Sequence, residues 1–272
     1  MPIPPGDSKI SITVSNLELE VFVHKPNTYA PATGRLLVVF HGVLRNADEY
    51  RDHARGMGER FGALVAAPKF DHERFSTKRY QFGGIFREDG TLAPRDERTY
   101  GMIPQIIAQI RSIEMQPNLP CYFIGHSAGG QFVVRMCAFS EVAGVHFVAA
   151  NPGSHVFPTR AMPFPYGFGN LPPELSDDTA IRRYLAKPLT IYLGTADDHP
   201  DEHFDDSVEA TAQGGSRFER GQNNFALAQK LARESGWVCN WRLVMVAGIG
   251  HDHQKMFDAP QVAKALELEG RG

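Results

Sequence analysis

Cysteine is scarce in this 272-residue chain. Its three residues, Cys121, Cys137 and Cys239, lack metal-ligand spacing and are too few for a disulfide framework. Long hydrophobic runs are missing as well: the longest, residues 36–40 (LLVVF), falls far short of the roughly 20 apolar residues a membrane-spanning helix needs. Neither sign of charge dominates. The 28 Lys and Arg against 31 Asp and Glu leave a net charge of −3, which gives no electrostatic reason to bind nucleic acid or an anionic membrane. The opening residues, MPIPPGDSKI, have neither the basic nor the apolar region of a secretory signal, so a soluble, cytoplasmic protein is expected. Internal repeats and low-complexity tracts are also lacking. What is present is apolar: 42% of residues are hydrophobic and 18 are Phe, which argues for a substantial core and against disorder.

The apolar residues come in short blocks. Residues 9–24 alternate in bursts (ISITV, LELEVFVH) and predict an antiparallel hairpin at a sheet edge. Continuous apolar runs at 35–40, 63–67, 121–125, 145–150, 189–193 and 241–246 predict strands covered on both faces. Between them, helical spacing predicts helices at 48–61, 101–114, 128–139, about 177–185, 222–235 and about 254–268. Pro104 fits the second of these only in a first turn. This alternation predicts βαβ units and a mostly parallel sheet. With no convincing linker, residues 1–272 read as a single α/β domain with loop insertions at about 69–100 and 151–187.

Residues 122–130 (YFIGHSAGG) carry the most chemical information. Ser127 stands between an apolar strand and an amphipathic helix, where a sharp turn would expose its hydroxyl above the sheet edge. The positions two before and two after must then be small, and Gly125 and Gly129 are. A Ser hydroxyl needs a neighbouring base, itself oriented by a carboxylate. LGTADD after one predicted strand offers Asp197, with Asp198 as competitor, and GIGHD after the last offers His251, with His253 as competitor. Each stands beyond the carboxyl end of its strand, where open α/β sheets bind ligands. A tetrahedral intermediate also needs N–H donors for its oxyanion. The residue after the nucleophile, Ala128, supplies one, and the backbone of Val43 in FHGVL supplies the other, with Leu44 as second choice.

FHGVLRN, GHSAGG, LGTADD and GIGHD, in this order and spacing, resemble the α/β-hydrolase-fold serine esterases over roughly residues 10–268. The early His-Gly followed by Asn46 and the direct GHSAGG elbow are most similar to polyhydroxybutyrate-depolymerase and feruloyl-esterase-like enzymes. The resemblance implies an α/β-hydrolase fold: a mostly parallel sheet flanked by helices on both faces, with an antiparallel N-terminal hairpin. It also implies ester cleavage through an acyl-enzyme, without cofactor or metal, and a loop-shaping role for His41. The expected partner is a small-molecule ester. On the residues alone, a peptidase or amidase, a thioesterase, or a non-catalytic ligand-binding protein on the same scaffold stays open.

Leu44, His126, His155, Phe157 and Tyr166 are candidates for the substrate pocket, the last three in an aromatic loop that reads as exposed wall. His126 serves equally well as elbow packing. The acidic stretch 197–206 invites a metal reading, to which His72 or His53 would contribute only by coincidence of fold. A solvated loop is the simpler account. The Arg-rich stretch 73–98 reads as surface, or as a grip for an acidic substrate.

Overall fold

A strand buried on both faces requires helices above and below it, and the apolar runs meet this requirement in a computed structural model that describes residues 1–270. Among the described residues, eight strands form one sheet: β1 (Gly6–Val14), β2 (Leu17–Lys25), β3 (Arg35–Phe40), β4 (Ala63–Pro68), β5 (Cys121–His126), β6 (His146–Ala150), β7 (Leu189–Gly194) and β8 (Arg242–Val246). Their spatial order is β1-β2-β4-β3-β5-β6-β7-β8. The first two pairings are antiparallel and the rest parallel. The β1–β2 hairpin turns on Ser15 and Asn16, whose φ values of 47° and 63° match the twist of the strands it joins.

Along β3, side chains alternate between two cores. Leu36, Val38 and Phe40 join one apolar cluster with Phe123, Phe132 and Phe147. Leu37 and Val39 join another with Val65, Ile124 and Val148. The first face carries α3 (Thr99–Ile113), α4 (Ala128–Phe139) and α8 (Arg217–Ser235), and the second carries α1 (Ala47–His53), α2 (Arg55–Phe61), α9 (His253–Asp258) and α10 (Val262–Ala265). Two short helices, α5 (Pro173–Ser176) and α6 (Asp178–Leu185), follow the long loop after β6, and α7 (Val208–Thr211) precedes α8. No helix among the described residues is long and apolar enough to cross a membrane.

Several helices differ from the sequence expectation. Residues 48–61 form two helices that meet at Ala54, and the break lets Gly58 lie against β4, where a Cβ would sit 3.0 Å from Val65 Cγ2. Residues 254–268 are also split, because Ala259 takes the extended conformation (φ −62°, ψ 137°) that a following Pro260 favours. Pro104 is the sixth residue of α3 rather than a first-turn residue. Helix α8 starts at Arg217 instead of Gln222. Ser216 Oγ accepts the Glu219 N–H at 3.1 Å as an N-cap, and Glu219 Oε2 accepts the Gly215 N–H of the residue before the cap at 2.7 Å, which together start the helix earlier.

That cap places Arg217 at the first position of α8. Ser216→Ala is expected to lower stability by about 1 kcal/mol, read as a fall in the urea midpoint at unchanged m. An unchanged midpoint would contradict the role given to the cap.

Candidate active site

The parallel strands end in register. Phe40 pairs with Gly125, His126 with Ala150, Ala150 with Tyr192 and Gly194 with Val246, so the loops that follow all open on one edge. Ser127 occupies the turn between β5 and α4 at φ 57°, ψ −119°, a conformation that L-residues avoid. Its N–H donates to Ala150 O at 3.0 Å and its carbonyl accepts from Gln131 N at 2.9 Å. The turn is possible only because backbone meets backbone: a Cβ on Gly129 would lie 2.1 Å from Phe40 O, and one on Gly125 would lie 2.3 Å from Gly129 O. The side chain of Ser127 remains partly exposed at the sheet edge. Ala128, the first residue of α4, has an N–H without an intrahelical acceptor.

His251 and Asp197 meet from two separate strand ends. His251 Nδ1 donates to Asp197 Oδ2 at 2.7 Å. A carboxylate oxygen only accepts, so this contact puts the proton on Nδ1 and leaves the Nε2 lone pair free. Asp197 is buried, whereas its competitor Asp198 is exposed and lies 3.4 Å from His199. His253, the competitor of His251, bonds instead to His53. The His251 ring packs 4.5 Å from that of His126, the residue beside Ser127. No hydrogen bond joins the Ser127 hydroxyl to His251 among the described residues. Such contacts often tighten only when substrate binds.

Three residues that sequence reasoning passed over hold this edge together. Arg217, fully buried, donates to Asp197 Oδ1 at 3.3 Å and to both oxygens of Asp201 at 2.8 and 2.6 Å. Asn151, at φ 40° after β6, accepts the Gly194 N–H at 2.8 Å and donates to Gly250 O at 3.1 Å, tying β7 to the loop that carries His251. Arg45 donates to Phe75 O at 3.0 Å and lies 4.3 Å over the Tyr80 ring, bracing the turn that contains Val43 and Leu44. His41 shapes the same turn. Its Nε2 accepts the Phe70 N–H at 3.0 Å, so Nδ1 donates to Gly42 O, also at 3.0 Å.

Three of the pocket candidates are buried. His155 and Phe157 are buried rather than exposed wall, and His126 is buried beneath His251. Tyr166 uses its hydroxyl on Asp205 at 2.8 Å, and Leu44 is 67% exposed. Where the two long loops meet, a cleft of about 340 Å³ is lined by Phe82, Phe86, Phe164, Pro165 and Lys78, among others, and includes none of the triad candidates. A larger cleft of about 750 Å³ lies beside the β1–β2 turn and includes none of the triad candidates. The acidic stretch 197–206 is organised by arginines. Arg217 holds two of its five aspartates, Asp197 and Asp201, and Arg220 stacks 4.2 Å over Phe204. The Arg-rich segment uses its charge internally, with Arg74 on Asp71 and Arg87 on Glu97.

No protein-family model matches the chain, and a search of curated proteins finds no match. Among solved structures it is similar to poly(aspartic acid) hydrolase-1 from Sphingomonas sp. KT-1, at 31% identity over 97% of this chain and 100% of the other, with a TM-score of 0.90. A poly(3-hydroxybutyrate) depolymerase from Bordetella parapertussis is 32% identical over 98% and 92%, with a TM-score of 0.87. The chain belongs to their family of α/β hydrolases. An S-formylglutathione hydrolase from Staphylococcus aureus, 12% identical over 95% and 96% with a TM-score of 0.57, shares the fold. Hydrolysis is therefore the class of reaction.

This hydrolase buries several histidines in neutral form. Burial pushes His41 and His155 down to about 3, from an ordinary value of 6.5, and drives His126 well below it. Between those values the unfolded chain binds more protons than the folded one. The stabilisation is thus complete above pH 6.5 and is lost progressively as pH falls toward 3. Urea midpoints are expected to decline over that window, less steeply in His155→Gln; a wild-type midpoint constant from pH 7 to 4 would contradict this.

Proposed function

We propose that the protein cleaves carboxylic esters with Ser127 as nucleophile, His251 as general base and Asp197 as the orienting acid. The observation that carries the reading is the 2.7 Å bond from His251 Nδ1 to the buried Asp197, set beside a serine in a strained strand-to-helix turn. In this scheme Ser127 Oγ attacks the carbonyl carbon while His251 Nε2 takes its proton. The N–H groups of Val43 and Ala128 receive the oxyanion; losing one such donor typically costs about 2.7–4 kcal/mol of barrier. His251 then gives the proton to the leaving alkoxide, forming an acyl-enzyme. Water activated by the same His251 releases the acid. Asp197 stays ionised and stabilises the imidazolium. Arg217 holds its other oxygen, so the carboxylate cannot rotate away from His251.

Two relatives support hydrolysis of an acyl bond, one named for a polyester and one for a polyamide. Ester is the primary reading because an alkoxide is a far better leaving group than an amine anion, so its expulsion asks less of the proton that His251 delivers. Amide cleavage on the same residues is the second reading, favoured by the 31% identity to the poly(aspartic acid) hydrolase. The substrate is a small ester or a chain of ester units, reached through a site built within one domain with insertions at 69–100 and 151–187.

The test is stopped-flow turnover of p-nitrophenyl butyrate beside the matching p-nitroanilide. A burst equal to the enzyme concentration is expected with the ester, followed by slower steady turnover. Ser127→Ala should lose about 10⁴-fold or more in kcat with its thermal unfolding unchanged. Asp197→Asn should lose a comparable factor, while Asp198→Ala remains near wild type. Near-wild-type turnover in Ser127→Ala would end the scheme, and a loss confined to Asp198→Ala would move the acid by one residue.

A further inference from the structure

Away from Ser127, helices α1 and α9 bring three metal-ligating side chains together. Glu49 and His53 stand one turn apart on α1 and so share a face. His253 is the first residue of α9. His53 Nδ1 and His253 Nε2 are 2.7 Å apart, and Glu49 Oε1 lies 3.9 Å from the first and 3.7 Å from the second. Among the described residues, no other three His, Cys, Asp or Glu side chains converge in this way. The acidic stretch 197–206, which drew attention in the sequence, does not.

We propose that Glu49, His53 and His253 form a binding site for a borderline divalent cation of the Zn²⁺ class, joining α1 to α9. Two imidazole nitrogens held nose to nose share a single proton, one ring donating to the other. A cation placed between them takes both lone pairs, once the donating ring carries its proton on its other nitrogen. On a tetrahedral Zn²⁺ the two nitrogens would stand about 3.3 Å apart. The rings therefore need to part by roughly 0.6 Å, and the carboxylate to close by a few tenths of an ångström. One ligand is already positioned: the His253 ring stacks on Tyr50 with centroids 4.0 Å apart and planes 2° from parallel. The carboxylate is 48% exposed and the two imidazoles are about one-fifth exposed (24% and 18%), leaving a path for the ion and for a water as fourth ligand. Two nitrogens and one oxygen suit Zn²⁺ and its neighbours, whereas Mg²⁺ and Ca²⁺ prefer oxygen alone.

The position has a consequence. Helix α1 follows the turn that carries Val43, and α9 follows the loop that carries His251. An ion between them would clamp the two segments that flank Ser127 without entering the triad. Its role is therefore to hold the edge of the site in place rather than to activate water.

The test is isothermal titration of the EDTA-treated, dialysed full chain with ZnCl₂, with thermal unfolding of the same samples. One ion per chain is expected, with Tm rising by about 5 °C at a hundredfold excess over Kd. MgCl₂ should give no shift. His53→Ala should weaken Zn²⁺ binding at least tenfold, and Glu49→Gln, at the most exposed of the three ligands, supplies the same test if His53→Ala does not fold. Absence of Zn²⁺ binding by the wild type, wild-type affinity in Glu49→Gln and His53→Ala, or an equal response to Mg²⁺ would overturn the site. None of these readouts needs turnover, so their failure is distinct from failure of the proposed ester chemistry.

Discussion

The approach of the first turn of α4 to the carboxyl edge of the sheet sets the geometry of everything around Ser127. Gly129 meets the Phe40 carbonyl so closely that even a methyl group there would overlap it, and Gly125 meets the Gly129 carbonyl in the same way. With the helix held this close, Ser127 has no choice but the positive-φ conformation, and its side chain is lifted out of the sheet. The same closeness sets the start of α4 against the carbonyls of Phe40 and His41 at the end of β3. A looser junction would relax the strained turn at Ser127, on which the proposed scheme depends.

Around that junction the protein replaces water with fixed polar contacts. Asn151 ties the end of β7 to the loop bearing His251, and Arg217 fixes the second oxygen of Asp197. His41, neutral because it is buried, braces the turn after β3 from within. Each contact satisfies a buried donor or acceptor that would otherwise cost a large part of the protein's net stability. Under the proposed scheme, a site held in this way would need little rearrangement when charge develops on a bound carbonyl oxygen.

Much of this was legible in the chain, and the reasons are local. Doubly covered strands announce themselves as unbroken apolar runs, so β3 to β7 were readable within a residue or so. The elbow was readable because Gly125, Ser127 and Gly129 sit in one segment whose geometry depends on short-range sterics. Asp197 and His251 were readable as a carboxylate and an imidazole directly after strands, and the fold brings the two into contact. Pro260 divides the last helix, because the residue before a proline disfavours the helical conformation. Asn151, Arg217 and Tyr50 were not readable, because their partners are remote in sequence and only the packed fold brings them near. Burial of His155 and Phe157 is likewise a property of how the loop folds back, not of its aromatic content. The His53–His253 contact spans 200 residues, and no spacing rule could have announced it.

The central claim is that Ser127 is an activated nucleophile beside a working oxyanion site. Reaction of the intact protein with a fluorophosphonate probe, followed by tryptic mass spectrometry, tests it directly. The account requires one stoichiometric adduct on the peptide containing Ser127, with labelling lost in His251→Ala. A folded protein that remains unlabelled, or that carries its adduct on another residue, would contradict it.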